Sequence, residues 1–179
     1  MLIRIVPEMF SDNRFECVTI PEVRKEIFQT QKFKSKYPWR TEFKAKIKAL
    51  GMQSARTEKY ALYLEAIKNL IESGTINQKT RKSFNLSRVD QTVAAYALAN
   101  EYEITTGDKD LIDFLKQEFS KENISPLGLV NRWLRKGLIK WNSYCQTIIE
   151  DWDKSNENSQ PRKEIKKFER LTDYKYVGS

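Results

Sequence analysis

The chain has 179 residues, of which 40% are hydrophobic and 31% charged, a balance typical of one soluble globular domain. It contains no histidine, so Ser-His-Asp and Cys-His nucleophilic chemistry are excluded and a zinc site is disfavoured. Cys17 and Cys145 are far apart in the sequence, and we expect both to be free thiols. No run is apolar enough for a membrane span or a signal peptide, which favours a cytoplasmic protein.

The net charge of +8 and the pI of about 9.4 favour a polyanionic partner, most commonly a nucleic acid. Residues 29–48 hold seven Lys/Arg and one Glu, a net charge of +6. Four aromatic residues alternate with these cations: Phe33, Tyr37, Trp39 and Phe43. Cations that pair with phosphates and rings that stack on bases are what a single-stranded polynucleotide requires. A solvated helix face whose aromatic residues point into the core explains the same pattern.

The first half of the chain is predicted to form one strand and three helices. FECVTI at 15–20 is rich in β-forming residues and ends before Pro21, which suits the first turn of a helix. Apolar residues at helical spacing then predict helices at 21–33, 39–50 and 56–74. We expect Gly51 to stop the second helix and Gly74 to cap the third, before a polar loop at 75–86.

The second half alternates helices with short apolar runs. A helix over 87–102 has Ser87 as its N-cap and Asp90 three residues later, as in a capping box. Short strands are expected at 103–106 and at the start of 123–130. Further helices are expected at 108–119, 131–141, 141–152 and 162–171. Strands that alternate with helices predict an α/β fold with a central parallel sheet flanked by helices.

Four acidic residues are expected at one edge of that sheet: Glu26, Asp90, Asp108 and Asp110. A helix that runs antiparallel to its neighbouring strand begins where the strand ends, so Asp90 lies near Asp108 in this topology. Ligands of open parallel sheets bind at that edge. Carboxylates gathered there repel one another unless a cation is bound, and Mg²⁺ and Mn²⁺ both prefer oxygen ligands. Such an ion can activate water against a phosphodiester without any histidine.

Each acid also has a purely structural explanation. Asp90 can be a capping-box residue, Asp108 can be the N-cap of the helix over 109–119, and Glu26 can be a solvated helix residue. Only the expected convergence of the acids favours a metal site.

Three segments, IPEVRKEI, DQTVAAYALANEYEITTGDKDL and ISPLGLVNRWL, together resemble the PIN-domain family of metal-dependent ribonucleases. The resemblance covers most of residues 15–136 and implies a three-layer α/β fold. It places the catalytic, metal-binding acids of the family on Glu26, Asp90 and Asp108, with Asp110 assisting. It also implies Mg²⁺ or Mn²⁺ as cofactor and RNA as substrate. An antitoxin protein as partner, as for many bacterial members, and a homodimer are further implications.

The chain departs from the family at its start. PIN domains open with a central strand that ends in Asp-x-Asn, and here MLIRIVPEMF resembles the helix that normally follows it. The alternative is that MLIRIV is the strand and Glu8 its acid. Only about eight residues would then separate MLIRIV from the run at 15–20, whereas a parallel crossover needs a dozen or more. We therefore expect Met1 to be an internal methionine and the first strand, with one metal ligand, to be missing.

The resulting hypothesis is an endoribonuclease with a PIN-like domain at 1–152 and a basic, partly helical tail at 153–179. The expected RNA contacts are Lys32, Lys34, Lys36, Trp39 and Arg40. The alternative is a PIN-like module that lost catalysis and binds RNA or a protein. A phosphatase-like or signalling α/β domain is disfavoured, since the aspartate pair or the Lys and Thr/Ser set of those classes is not found.

Overall fold

The computed structural model describes residues 2–50, 57–154 and 160–176, and helices make up about 60% and strand 2% of these residues. The described part contains two 3₁₀ turns, Asn13–Phe15 and Pro38–Phe43. It also contains nine α-helices: α1 Leu2–Ile5, α2 Pro21–Gln29, α3 Gln31–Lys36, α4 Glu58–Glu72, α5 Arg88–Ala99, α6 Lys109–Phe119, α7 Pro126–Arg135, α8 Ser143–Lys154 and α9 Arg162–Thr172.

The prediction of a central parallel sheet is wrong, because the described residues form no sheet. Their β-pairing is limited to an antiparallel bridge between Ile76 and Ser83 and a parallel bridge between Ile104 and Asn123. The predicted strand at 103–106 thus contributes one paired residue. A short apolar run has the same pattern whether it is a buried strand or a buried connection between helices, and here it is a connection.

The β-rich run at 15–20 is also a connection. Phe15 closes a 3₁₀ turn capped by the Asp12 carboxylate, and Glu16 then adopts a left-handed conformation with φ 53°. The Thr19 carbonyl accepts a hydrogen bond from Leu50 N at 2.9 Å, but no ladder continues from that bond among the described residues. Without a neighbouring strand to pair with, the β-forming residues of this run cannot build a sheet.

Local capping explains where several helices begin. Ser87 and Asp90 form the predicted capping box at the start of α5, and Thr57 caps α4 by accepting from Tyr60 N. Ser125 caps α7 by accepting from Gly128 N, with Pro126 in the first turn.

Two further predictions about local structure are wrong in part. Of the strand predicted at the start of 123–130, only Asn123 is paired, in the bridge with Ile104. The predicted helix at 39–50 is instead the 3₁₀ turn Pro38–Phe43, and Gly51 lies outside the described residues.

The chain divides into two units, and the longer continuous one is Val18–Asn123. Its core is built where α4 packs on α5, and α5 presents the fully buried small residues Ala94 and Ala95. Small side chains let two helix backbones approach closely. Ile67 of α4 and Phe114 of α6 are also fully buried, and Phe114 packs edge-on against Phe84 at 5.2 Å between ring centroids.

The other unit combines Met1–Cys17 with Ile124–Ser179. Trp133 of α7 is buried and meets the Phe15 ring edge-on at 5.3 Å. Ile148 and Ile149 of α8 and Phe168 of α9 complete the buried set. The helix expected at 162–171 is confirmed as α9, which packs on α7.

No helix in the described part of the chain is both long and apolar enough to cross a membrane. Both cysteines are free thiols, as predicted.

Candidate nucleic-acid interface

Asp90 is held by the capping box at the start of α5. Its Oδ2 accepts from Ser87 N at 3.0 Å and from Ser87 Oγ at 2.6 Å. Asp90 N in turn donates to Ser87 Oγ at 3.1 Å. The structure therefore shows Asp90 in the structural role that the sequence left open beside metal binding.

Asp108 is the N-cap of α6. Its Oδ1 accepts from Asp110 N at 2.8 Å and from Leu111 N at 3.1 Å, and Asp108 N donates to Thr106 Oγ1 at 3.1 Å. A carboxylate at this position satisfies two backbone N–H groups that the helix leaves unpaired and interacts favourably with the helix dipole.

Asp110 and Asp113 hold the loop at 75–86 against α6. Asp110 Oδ2 accepts from Asn85 N at 2.8 Å, and Asp113 forms an ion pair with Lys79. Asn77, which is 1% exposed, donates from Nδ2 to both carboxylates at 3.4 Å. Asn77 was not among the residues predicted from the sequence, where its only local signal is an asparagine two residues before Lys79 in a polar loop, the spacing of an Asx turn.

Glu26 lies half-buried on α2, the helix that follows Ile20. Among the described residues, no three Cys, Asp or Glu side chains are grouped so that they could hold a metal ion. The four predicted acids, as placed, do not fit a shared Mg²⁺ or Mn²⁺ site. The sheet edge that was expected to bring them together is absent from the described residues, and each aspartate is bound by nearby backbone or loop groups instead.

The basic segment at 29–48 forms a row of four aromatic rings, all of them half-buried: Phe33, Tyr37, Trp39 and Phe43. Their successive ring centroids are 5.9, 5.7 and 5.8 Å apart. Phe33 and Tyr37 are four residues apart, as are Trp39 and Phe43, and this spacing brings side chains to the same side of a helical segment. Each ring keeps part of its surface open to solvent, so the row is a surface on which bases can stack.

Lysines border this aromatic row. Lys34, Lys36, Lys44 and Lys48 are exposed, and the Lys36 ammonium lies 5.3 Å from the centroid of the Tyr37 ring. An ammonium at this distance from a tyrosine ring makes a cation–π contact. The Lys32 side chain lies outside the described residues.

Arg40 differs from the other predicted RNA contacts because it is only 6% exposed. Its Nε donates to the Ile27 carbonyl at 2.9 Å, and its Nη1 donates to the carbonyls of Tyr37 at 3.0 Å and Lys34 at 3.3 Å. The guanidinium therefore binds protein backbone, and its planar fork suits several carbonyls at once.

A second arginine fixes the other end of the segment. Arg24 of α2 donates from Nε to the Ile47 carbonyl at 2.8 Å and from Nη2 to the Lys44 carbonyl at 3.3 Å. Together with the bond from Leu50 N to Thr19, these contacts hold residues 44–50 against the start of the unit. The aromatic row thus lies on backbone that is tied down at several points, which lowers the entropy lost when a ligand binds.

Comparison of the chain with protein-family models, with curated proteins and with solved structures finds no significant match to any of them.

Proposed function

We propose that this chain binds single-stranded RNA through the aromatic row and lysines of residues 30–48. The observation that carries the proposal is the row of half-buried rings bordered by exposed ammonium groups. Stacking supplies contact with unpaired bases of any sequence, and the lysines neutralise phosphates along the strand. The choice of RNA over DNA rests on the resemblance of the sequence to RNA-processing proteins.

Within the proposed surface, Trp39 has the largest ring and lies between Tyr37 and Phe43. A base stacked on this indole would be bordered by rings on both sides. Lys34 lies on α3 and Lys48 beyond the turn, so charges occur before and after Trp39 along the chain. Arg40 supports the surface from inside and is not part of the contact.

Metal-dependent RNA hydrolysis, an antitoxin partner and a homodimer stay predictions from the resemblance. Of the acids that would carry hydrolysis, Asp90, Asp108 and Asp110 each accept a hydrogen bond from a backbone N–H or a hydroxyl group of the protein. Binding without cleavage is therefore the function that the geometry of the described residues supports best.

Fluorescence anisotropy with a labelled RNA of about 12 nucleotides, within the site size of single-strand binders, tests the proposal. Trp39→Ala should weaken binding about 5- to 150-fold, since one base stack contributes about 1–3 kcal/mol. Trp39→Phe should retain most of the affinity. Tyr144→Ala is the matched control, because Tyr144 is 56% exposed but lies on α8 of the other unit.

Charge is tested separately from stacking. The double variant Lys34→Gln/Lys48→Gln should weaken binding and lower its salt dependence, whereas Lys68→Gln/Lys140→Gln removes two exposed charges elsewhere. A DNA strand of the same sequence tests the choice of RNA.

The result for Trp39 decides the proposal. If Trp39→Ala binds RNA as tightly as the unchanged protein, the proposal is wrong.

A further inference from the structure

The exposed side of α9 carries a continuous basic face. Lys163, Lys166, Lys167 and Arg170 follow the i, i+3, i+4, i+7 spacing that places side chains on one side of a helix. Lys167 is half-buried and the other three are exposed. No ion pair neutralises these four side chains among the described residues.

The acidic residues of α9 are used elsewhere. Glu164 accepts from Asn131 Nδ2 at 2.9 Å, and Glu169 accepts from Tyr176 N at 3.1 Å. Both carboxylates therefore bind groups of their own unit. Phe168 is fully buried and fixes the apolar side of the helix. The acidic side chains of α9 therefore bind groups of their own unit, whereas the four basic side chains lie on the solvent side of the helix.

We propose that this α9 face is a second RNA-contacting surface, which binds the phosphate backbone by charge and does not require unpaired bases. The four cations span about 10 Å of helix, and successive phosphates of one strand advance no more than about 3.4 Å along the axis of a duplex, the B-DNA value. The face can therefore contact about three phosphates. This inference rests on the proposed function for the choice of RNA as the polyanion.

A membrane surface fits α9 less well. A helix that lies in a membrane interface inserts a broad apolar face. On α9, Phe168 is fully buried in its own unit, where it meets Trp141, which leaves Leu171, 39% exposed, as the large apolar side chain open to insertion. A helix side that offers four cations and no aromatic residue is suited to a phosphate backbone.

A labelled RNA duplex of about 16 base pairs separates the two surfaces, because a duplex offers phosphates but no unpaired bases. The variant Lys163→Gln/Lys166→Gln/Lys167→Gln/Arg170→Gln should bind the duplex at least about tenfold more weakly, with a salt dependence smaller by about 2–3 in log–log slope. Glutamine has nearly the helix propensity of lysine, so we expect α9 to remain folded, as circular dichroism can show.

The matched control Lys25→Gln/Lys68→Gln/Arg135→Gln/Lys140→Gln also removes three lysines and one arginine, all exposed and outside α9. Full duplex binding by this control, with loss in the α9 variant, supports the proposal. Equal loss in both, or no duplex binding by the unchanged protein, overturns it. Binding to vesicles that contain phosphatidylserine, but not to the duplex, would overturn it in favour of a membrane surface.

Failure of the α9 proposal is distinguishable from failure of the proposed function. Trp39→Ala should leave duplex binding unchanged while it weakens single-strand binding. If Trp39→Ala changes neither but the α9 variant loses the duplex, the aromatic surface is wrong and the α9 surface stands.

Discussion

Arg40 and Ile27 are joined by a 2.9 Å hydrogen bond from the guanidinium Nε to the backbone carbonyl, which ties the turn Pro38–Phe43 to α2. The same guanidinium donates to two further carbonyls, so one buried cation organises the backbone beneath the aromatic row. A basic residue in a basic segment is here part of the scaffold and not of the contact surface.

Replacement of Arg40 tests this role. Arg40→Ala should lower the free energy of unfolding by about 2–3 kcal/mol, because charge-assisted hydrogen bonds and buried packing are lost together. Arg40→Lys should recover only part of the loss, since an ammonium cannot reproduce the planar fork. Urea unfolding measures both. Weaker RNA binding with unchanged stability would show instead that Arg40 contacts RNA directly.

Asn77 should be more important to stability than its place in a polar loop indicates. Its Oδ1 accepts from Lys79 N at 2.9 Å and from Thr80 N at 3.3 Å, and its Nδ2 donates to two carboxylates of α6. We expect Asn77→Ala to cost about 2 kcal/mol, because buried polar groups lose their partners. Asn69→Ala, at an exposed position of α4, should change stability by less than about 0.5 kcal/mol. Equal effects in thermal unfolding would contradict the role of Asn77 as a clamp.

Asp108 offers a test of hydrolysis that does not unfold the protein. Asn caps helices about as well as Asp, so Asp108→Asn should keep α6 stable, whereas Asp108→Ala should cost about 1 kcal/mol. We expect no Mg²⁺-dependent RNA cleavage above background in the unchanged protein, as measured by gel electrophoresis of labelled RNA. Cleavage that Asp108→Asn abolishes at unchanged stability would favour the ribonuclease hypothesis over binding alone.

Burial raises the pKa of the Cys17 thiol from the ordinary 9.0 to about 11, and the nearby Glu16 adds to this effect while Arg132 opposes it. The thiolate is the reactive form, so Cys17 in a Cys145→Ala variant should react more slowly with iodoacetamide at pH 8 than in urea. The rate should rise toward pH 11. Because the folded state disfavours the thiolate, stability should also fall as the pH rises from about 9 through 11. Equal rates in the folded and unfolded protein at pH 8 would contradict this assignment.

The sequence alone determined most helices and their caps. The predicted helix at 56–74 corresponds to α4, and the one at 87–102 corresponds to α5 with its Ser87–Asp90 capping box. For Asp108, the sequence allowed two roles, an N-cap of the following helix and a metal ligand, and the structure shows the N-cap. These features depend on residues three or four positions apart, and such spacings can be read from the chain directly.

Tertiary structure decided the absence of a sheet in the described residues, the lack of a metal-binding group of acids among them, and the burial of Arg40 and Asn77. A strand requires a partner distant in sequence, and no local pattern shows whether one is present. Whether a carboxylate or a guanidinium faces solvent likewise depends on which segments pack over it. The +6 segment and its aromatic residues could be recognised from the sequence, but only packing separated the lysines at the surface from the arginine that supports them.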